Sequence, residues 1–217
     1  MLTLYHCPRT RSLRALWMLE EVGCPYALSI VDIRSGEGKS AAYRKLNPHG
    51  KVPTLVHEGA VIPDSTAILL YLADAFPAAH LAPALTDRLR GPYLAWMTYT
   101  GAVVEPAFTA RRQGWSYEAF SVSWGAFEDV AQRLQEGASN ARPYLLGEDF
   151  TAADILIGGS IMFGTQFGLL QDAAFEPYIA LLTSRPAYKQ ALAKDSVAAT
   201  ASSTLREARE ALPRSNP

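Results

Sequence analysis

The residues best suited to chemistry fall in three short stretches within the first third of the chain. Tyr5-His6-Cys7-Pro8-Arg9-Thr10-Arg11-Ser12-Leu13-Arg14 gathers a phenol, a thiol, two aliphatic hydroxyls and three guanidinium groups around the start of an apolar, helix-periodic segment. Hydroxyls just ahead of a helix, together with its free N–H groups, can face an anionic atom such as sulfur. Strand alternation places Tyr5 and Cys7 on one face and His6 on the other. The second stretch, Asn47-Pro48-His49-Gly50-Lys51-Val52-Pro53-Thr54-Leu55, sets a proline at the mouth of an apolar strand, where it removes a ladder donor. A cis Val52-Pro53 bond would turn the Val52 N–H and C=O outward for an extended peptide to join as an extra strand. An ordinary trans proline opening an edge strand is the alternative. The third stretch is Asp64-Ser65-Thr66-Ala67-Ile68, at a helix start. Its N–H groups suit a carboxylate and the Asp64 side chain an ammonium, so the pair fits a zwitterionic amino-acid head; plain helix capping explains the same residues without a ligand.

The elements that must hold these stretches follow from periodicity. Leu2 to His6 is a short β-prone run, and Ser12 to Val22 takes helical spacing through Leu13, Leu16, Trp17 and Leu19 before a stop at Gly23. A second strand over 26–31, a short helix over 39–46, two strands over 52–57 and 60–62 across a Glu58-Gly59 turn, and a helix over 65–76 complete a βαβ, α, ββα order. From Pro77 to Ala84 the chain carries two prolines and no charge, a linker texture, so the boundary is placed there. Helices are expected over 87–112, 117–137, 152–169, 175–184 and 186–194, then a last short helix and a fraying tail. Gly147-Glu148-Asp149-Phe150-Thr151-Ala152-Ala153-Asp154-Ile155 has the spacing of a capping box at Thr151 and Asp154, with Phe150 and Ile155 as its hydrophobic staple.

Composition narrows the function classes. A chain of 217 residues that is 49% hydrophobic and 19% charged can build a large core, which excludes intrinsic disorder and a mini-protein. Twenty basic and twenty-one acidic residues, evenly spread, give nothing that pulls on a nucleic acid or an anionic membrane. Ile155 to Gln171 is uncharged over seventeen residues but too short and too rich in glycine and polar groups to span a bilayer, so a buried central helix is expected. Two cysteines, Cys7 and Cys24, make no disulfide framework, and no charged-then-apolar leader precedes the first strand; a reducing cytoplasm is the expected location. The four histidines, His6, His49, His57 and His80, show no ligand spacing, so no metal is expected.

Joined in one such unit, the stretches 47–55 and 64–68 resemble the glutathione-binding domain of the cytosolic glutathione transferase superfamily, and the likeness extends over essentially the whole chain. It implies an α/β thioredoxin-like N-terminal domain, residues 1–77, a linker at 78–86, and an all-α C-terminal domain, residues 87–217, for substrate binding and homodimer formation. Glutathione is implied as co-substrate. The family pattern gives Val52, beside Pro53, the main chain of the cysteinyl part, and gives Asp64 and Ser65 the γ-glutamyl end, although most members carry Glu or Gln where this chain has Asp64. Lys51 falls where several classes meet the glycine carboxylate, with His49 and Arg34 ranked below it.

Glutathione's thiol is mostly protonated at neutral pH, so a transferase must stabilise the thiolate. The likeness places Thr10 near the serine of serine-type classes, Tyr5 at the position of the tyrosine-type classes, and Arg11 where one of those classes keeps a thiolate-stabilising arginine. Thr10-Arg11-Ser12 is most similar to a Ser-Arg-Ser segment, which ranks Thr10 first, then Tyr5 and Ser12. Cys7-Pro8 is similar to the cysteine-type members, but Cys7 lies sixteen residues before Gly23, about two more than that pattern has, and Thr10 stands where a second cysteine would be needed. An electrophile pocket is expected around Tyr99, Val103, Phe108, Arg111, Arg112 and Trp115. The implied activity is conjugation of glutathione to small apolar electrophiles. Its rivals are ether cleavage, dehalogenation, isomerisation or disulfide reduction at the same site, and a non-catalytic glutathione-binding regulator or scaffold.

Overall fold

Strand β1 (Leu2–His6) buries Leu2, Leu4 and His6 and leaves Thr3 and Tyr5 half-exposed, the period-two pattern of a strand with one face on a core. The computed structural model describes residues 1–171 and 173–210. Helix α1 (Ser12–Val22) buries Leu16, Trp17, Met18 and Leu19 and ends where Gly23 takes a left-handed φ of 71° and returns its N–H to Leu19 O, 3.0 Å. Strand β2 (Tyr26–Ile30) lies parallel to β1, and a 3₁₀ turn (Glu37–Lys39) and helix α2 (Ala41–Arg44) lead to strands β3 (Thr54–His57) and β4 (Ala60–Pro63). The four-stranded sheet has the order β2-β1-β3-β4, with β3 antiparallel to both neighbours. Helix α3 (Ser65–Ala75) follows at once.

Contacts divide the chain into two compact units, one of Met1–Ile68 with the segment from Pro186 on, the other of Leu69–Arg185. In the first unit, helix α9 (Pro186–Glu210) packs on α1, with the Tyr188 ring edge-on to Trp17 at 4.9 Å. Lys194 of α9 reaches the Glu20 carboxylate at 2.6 Å and the Tyr26 hydroxyl at 3.0 Å. Burial, and after it the neighbouring Glu20, pushes the Tyr26 phenol up to about 12. The helix over 186–194 and the short one after it are a single element of 25 residues, because alanines at 191, 193, 198, 199 and 201 carry it onward without a breaker. The expected fraying tail lies outside the described residues from 211 on.

The second unit is helical: α4 (Arg90–Tyr99), α5 (Glu105–Gln113), α6 (Phe127–Asn140), α7 (Ala152–Gln166) and α8 (Glu176–Ser184). The single helix expected over 87–112 is interrupted by a π-type turn, Thr100–Val104, just before Pro106, whose ring cannot share a regular turn with the carbonyl four residues back. The helix expected from 117 starts only at Phe127, after Gly125 with φ 67°. Helix α7 is buried along most of its length and carries the full capping box at Thr151 and Asp154. Asp154 accepts from Thr151 N–H at 2.9 Å, Leu145 N–H at 2.9 Å and the Tyr178 hydroxyl at 2.8 Å, so one carboxylate ties α7 to the chain before it and to α8. Burial pushes both the Asp154 carboxyl and the Tyr178 phenol up, and the hydrogen bonds to Asp154 work against its rise. Among the described residues no helix is long and apolar enough to cross a membrane.

Removing that carboxylate strands four donors in a dry site, the Thr151 hydroxyl at 3.1 Å being the fourth. Asp154→Ala is expected to cost about 3 kcal/mol, and Thr151→Ala, which loses only the cap, about 1 kcal/mol. Urea denaturation of the two variants checks both the values and their order.

Candidate active site

Strand register brings the three chemistry-bearing stretches to one end of the sheet. Tyr5 pairs with Thr54 across β1 and β3, and Thr54 pairs with Pro63 across β3 and β4. Because both pairings are antiparallel, the exit of β1, the entry of β3 and the exit of β4 coincide. Parallel pairing of Tyr5 with Ser29 adds the exit of β2 to the same end. The loop 7–11, the segment Lys51-Val52-Pro53 and Asp64-Ser65 all leave the sheet there.

The loop between β1 and α1 is held from inside by Ser12. Its hydroxyl is 2.9 Å from Thr10 Oγ1 and 2.7 Å from His6 Nδ1, donates to Cys7 O at 2.9 Å in one orientation, and receives Cys7 N–H at 3.2 Å. Ser12 and His6 are fully buried. This corrects the expectation that Ser12 could meet a ligand directly, since its oxygen is enclosed by protein groups. Thr10 is half-exposed; its hydroxyl donates to Cys7 O at 2.7 Å and accepts Ser12 N–H at 3.2 Å. Tyr5 is also half-exposed, its ring 5.8 Å from that of Tyr43. Arg11 is half-buried at the N-terminal boundary of α1.

Two charged residues brace this loop. Arg9 has a left-handed φ of 55°, a conformation that costs an L-residue about 1–2 kcal/mol, and Asp195 of α9 accepts its N–H at 3.1 and 3.2 Å through both carboxylate oxygens. The guanidinium of Arg34 donates to Cys7 Sγ at 3.3 Å, Pro8 O at 3.1 Å and Arg9 O at 3.1 Å. Arg34, ranked among the carboxylate partners, is thereby engaged on the loop. Cys7 is only 1% exposed, so its sulfur is not presented to solvent.

The Val52-Pro53 peptide is cis, which decides between the two readings the sequence left open, and Pro53 is buried. Around it stands a set of buried polar groups that sequence reading missed. The Tyr43 hydroxyl donates to Lys51 O at 2.7 Å, Asn47 Nδ2 donates to Lys51 O at 2.9 Å and to Thr54 Oγ1 at 3.1 Å, and Thr54 Oγ1 lies 2.9 Å from the Tyr43 oxygen. Burial pushes the Tyr43 phenol up, so it stays a neutral donor. Gly50, with φ 65°, approaches the Gly38 carbonyl so closely that a Cβ would sit 2.3 Å from its oxygen. Lys51 is exposed and Val52 half-buried.

Asp64, not Ser65, caps α3. Its Oδ1 accepts Thr66 N–H at 2.8 Å and Ala67 N–H at 3.3 Å while its backbone takes a φ of 77°, which Asp tolerates better than most side chains. Ser65 is the first helical residue and is buried; Asp64 is exposed.

The expected pocket residues lie in the second unit. Tyr99 is edge-on to Trp96 at 5.9 Å with the Arg133 guanidinium 5.3 Å above its ring, and Val103 sits half-buried in the π-type turn. Phe108 is 1% exposed and packs on Phe127 at 6.0 Å, which corrects its reading as a pocket wall: it is core. Arg111 lies over Phe127 at 5.0 Å and 3.6 Å from Glu128, and Arg112 over Phe167 at 4.2 Å. Arg111, Trp115, Tyr117 and Glu128 border a cavity of ≈ 580 Å³.

The buried set around Pro53 generates a stability expectation. Asn47→Ala leaves Lys51 O and Thr54 Oγ1 each one donor short and is expected to cost about 2 kcal/mol, against about 1 kcal/mol for Tyr43→Phe. Thermal unfolding of the two variants measures the difference.

Comparison with known proteins agrees with this fold. The family described as "Glutathione S-transferase, N-terminal domain" matches residues 7–75, which contain all three stretches apart from Tyr5 and His6. Glutathione S-transferase 3 of Schizosaccharomyces pombe is 28% identical over 178 residues, 71% of this chain and 70% of its own. A sphingomonad glutathione S-transferase complexed with glutathione superposes with a TM-score of 0.73 at 27% identity, covering 89% of this chain and 98% of that one. A glutathione transferase homologue from sulfitobacter with bound glutathione gives 0.74 at 25% identity, covering 89% and 98%. With the thioredoxin-like sheet, the helical second unit and the matched N-terminal segment in agreement, residues 7–75 carry the glutathione S-transferase N-terminal domain and the chain has the fold of the cytosolic glutathione transferases.

Proposed function

We propose that this transferase binds glutathione along the end of the sheet where β1, β3 and β4 meet, and joins its thiolate to small apolar electrophiles. The observation that carries the reading is the register Tyr5–Thr54–Pro63, which sets the Thr10 loop, Val52 and Asp64 beside one another. Val52 pairs its main chain with the cysteinyl part, Ser65 and Asp64 hold the γ-glutamyl end, and exposed Lys51 meets the glycine carboxylate. Asp64 spends Oδ1 on the α3 cap, so its contact with the ammonium is through the other oxygen. Arg11 adds positive charge beside the sulfur. The functional division falls at the linker 78–86, and Tyr99, Val103, Arg111 and Arg112 shape the electrophile site. We place the enzyme in the cytoplasm as a homodimer acting in detoxification, without a metal.

Of the hydroxyls, Thr10 is the best placed to donate to the sulfur. Its oxygen already accepts Ser12 N–H, so its proton is the part left to turn from Cys7 O toward a ligand. A hydrogen bond to a charged acceptor contributes roughly 1.5–3 kcal/mol, enough to lower a thiol pKa by about one to two at 1.36 kcal/mol each. Disulfide reduction by Cys7 is disfavoured by its burial under the Arg34 guanidinium.

Thr10→Val keeps the volume and deletes the donor. It is expected to raise the thiol pKa of bound glutathione by about one to two and to lower kcat/KM with an electrophile panel about 10–100-fold, while Thr10→Ser stays close to the wild type. Ultraviolet thiolate absorbance against pH reads the first effect. An unchanged pKa moves the role to Tyr5, and glutathione binding with no turnover on any electrophile leaves a binding protein.

A further inference from the structure

Behind Thr10 runs a line of groups that thiolate stabilisation alone does not use. Thr10 Oγ1 is 2.9 Å from Ser12 Oγ, Ser12 Oγ is 2.7 Å from His6 Nδ1, and His6 Nε2 is 3.2 Å from Asp195 Oδ1. His6, Ser12 and Asp195 are all buried, at 0%, 0% and 3% exposure, and only Thr10 reaches the surface. The Nε2 contact with Asp195 is close but not aligned as a hydrogen bond; the Asp195 oxygens point at Arg9 N–H. A serine, a histidine and an aspartate in sequence suggest a hydrolase, yet a fully buried Ser12 oxygen cannot attack a substrate.

We propose that His6 is the acceptor of the glutathione thiol proton, reached through Thr10 and Ser12 and balanced by the Asp195 carboxylate. This rests on the reading of Thr10 as the partner of the sulfur. With both hydroxyls turned from Cys7 O, the protons before transfer run one way: S–H to Thr10 Oγ1, the Thr10 proton to Ser12 Oγ, the Ser12 proton to His6 Nδ1. Each hydroxyl then receives one proton and passes one on. The S–H bond breaks, an Nδ1–H bond forms, and both hydroxyls are left intact with their protons reversed. Thr10 now donates to the thiolate, Ser12 donates to Thr10, and His6 donates to Ser12. The products are a thiolate and an imidazolium, and no proton leaves the protein.

The distances favour this over a passive scaffold. Two oxygens 2.9 Å apart need a proton between them, as do an oxygen and a nitrogen 2.7 Å apart. Once Thr10 turns its proton to sulfur and Ser12 turns from Cys7 O to Thr10, the Thr10–Ser12 proton comes from Ser12, and the Ser12–His6 proton from Nδ1. A thiolate held by Thr10 therefore requires a proton on Nδ1, while a carboxylate 3.2 Å from Nε2 favours one there too. The charge set against His6 is the Asp195 carboxylate on α9, 3.2 Å from Nε2. A buried imidazolium without it would be costly.

The test is proton bookkeeping on binding. The full-length enzyme is titrated with glutathione and with S-methylglutathione by calorimetry in two buffers of different ionisation heat at pH 7, and thiolate is counted by ultraviolet absorbance. The wild type is expected to form thiolate with almost no extra proton released relative to the S-methyl ligand. His6→Asn, which offers Ser12 an amide but no base, is expected to lower the thiolate fraction about tenfold and to release about one proton for each thiolate that remains. Asp195→Asn, which keeps an acceptor for Arg9 N–H, shifts both readouts the same way and serves if His6→Asn does not fold by circular dichroism. One proton released per thiolate in the wild type, or an unchanged thiolate fraction in a folded His6→Asn or Asp195→Asn, overturns the proposal. Those outcomes leave glutathione binding and the Thr10→Val effect standing; absence of glutathione binding in the wild type overturns the functional reading, and this proposal with it.

Discussion

The pairing of Tyr5 with Thr54 is the constraint on which the site depends. It is a short-range main-chain contact, but it decides that the exit of one strand meets the entry of another, and a slip by one residue would turn every side chain of β3 to the opposite face. The register is pinned from both sides. Leu4 and Leu55 pair and are fully buried on the core face, while Thr54 is locked by Asn47 and Tyr43, which also hold Lys51 O. The same side chains thus set strand register and the shape of the segment that carries Val52.

A second dependence runs from the far end of the chain. Asp195, on α9, accepts Arg9 N–H and so supports a left-handed residue beside Thr10. Trp17 with Tyr188, and Glu20 with Lys194, fix α9 on α1. Changes on α9 therefore act on the loop without touching a ligand. The buried polar groups here, His6, Ser12 and Asp195, carry a desolvation cost that a purely structural loop could avoid with apolar residues, which is why a proton-handling role accounts for them better than packing does.

Much of this was legible in the sequence. The strand and helix order of residues 2–76, the stop at Gly23 and the capping box at Thr151 and Asp154 all depend on local residue chemistry, which periodicity and spacing report directly, whereas the residues alone left the Val52-Pro53 bond open between cis and trans. What escaped depends on contacts distant in sequence. Nothing near His6 announces Asp195, 189 positions on, and Asn47 reads as a turn residue until Thr54 and Lys51 fold back onto it. Ser12 and Phe108 have the right types for a site but are enclosed, and burial of a side chain at a helix start or in a helix stripe is a tertiary outcome. The length of α9 escapes the sequence because a run of small polar residues looks like a loop, yet the helix continues through it to Glu210.

The most direct measurement is a crystal structure with glutathione bound. The sulfur is expected within about 3.5 Å of Thr10 Oγ1, with the cysteinyl main chain paired to Val52. A sulfur that instead lies on the Tyr5 hydroxyl or in disulfide contact with Cys7, away from Thr10, would contradict the account.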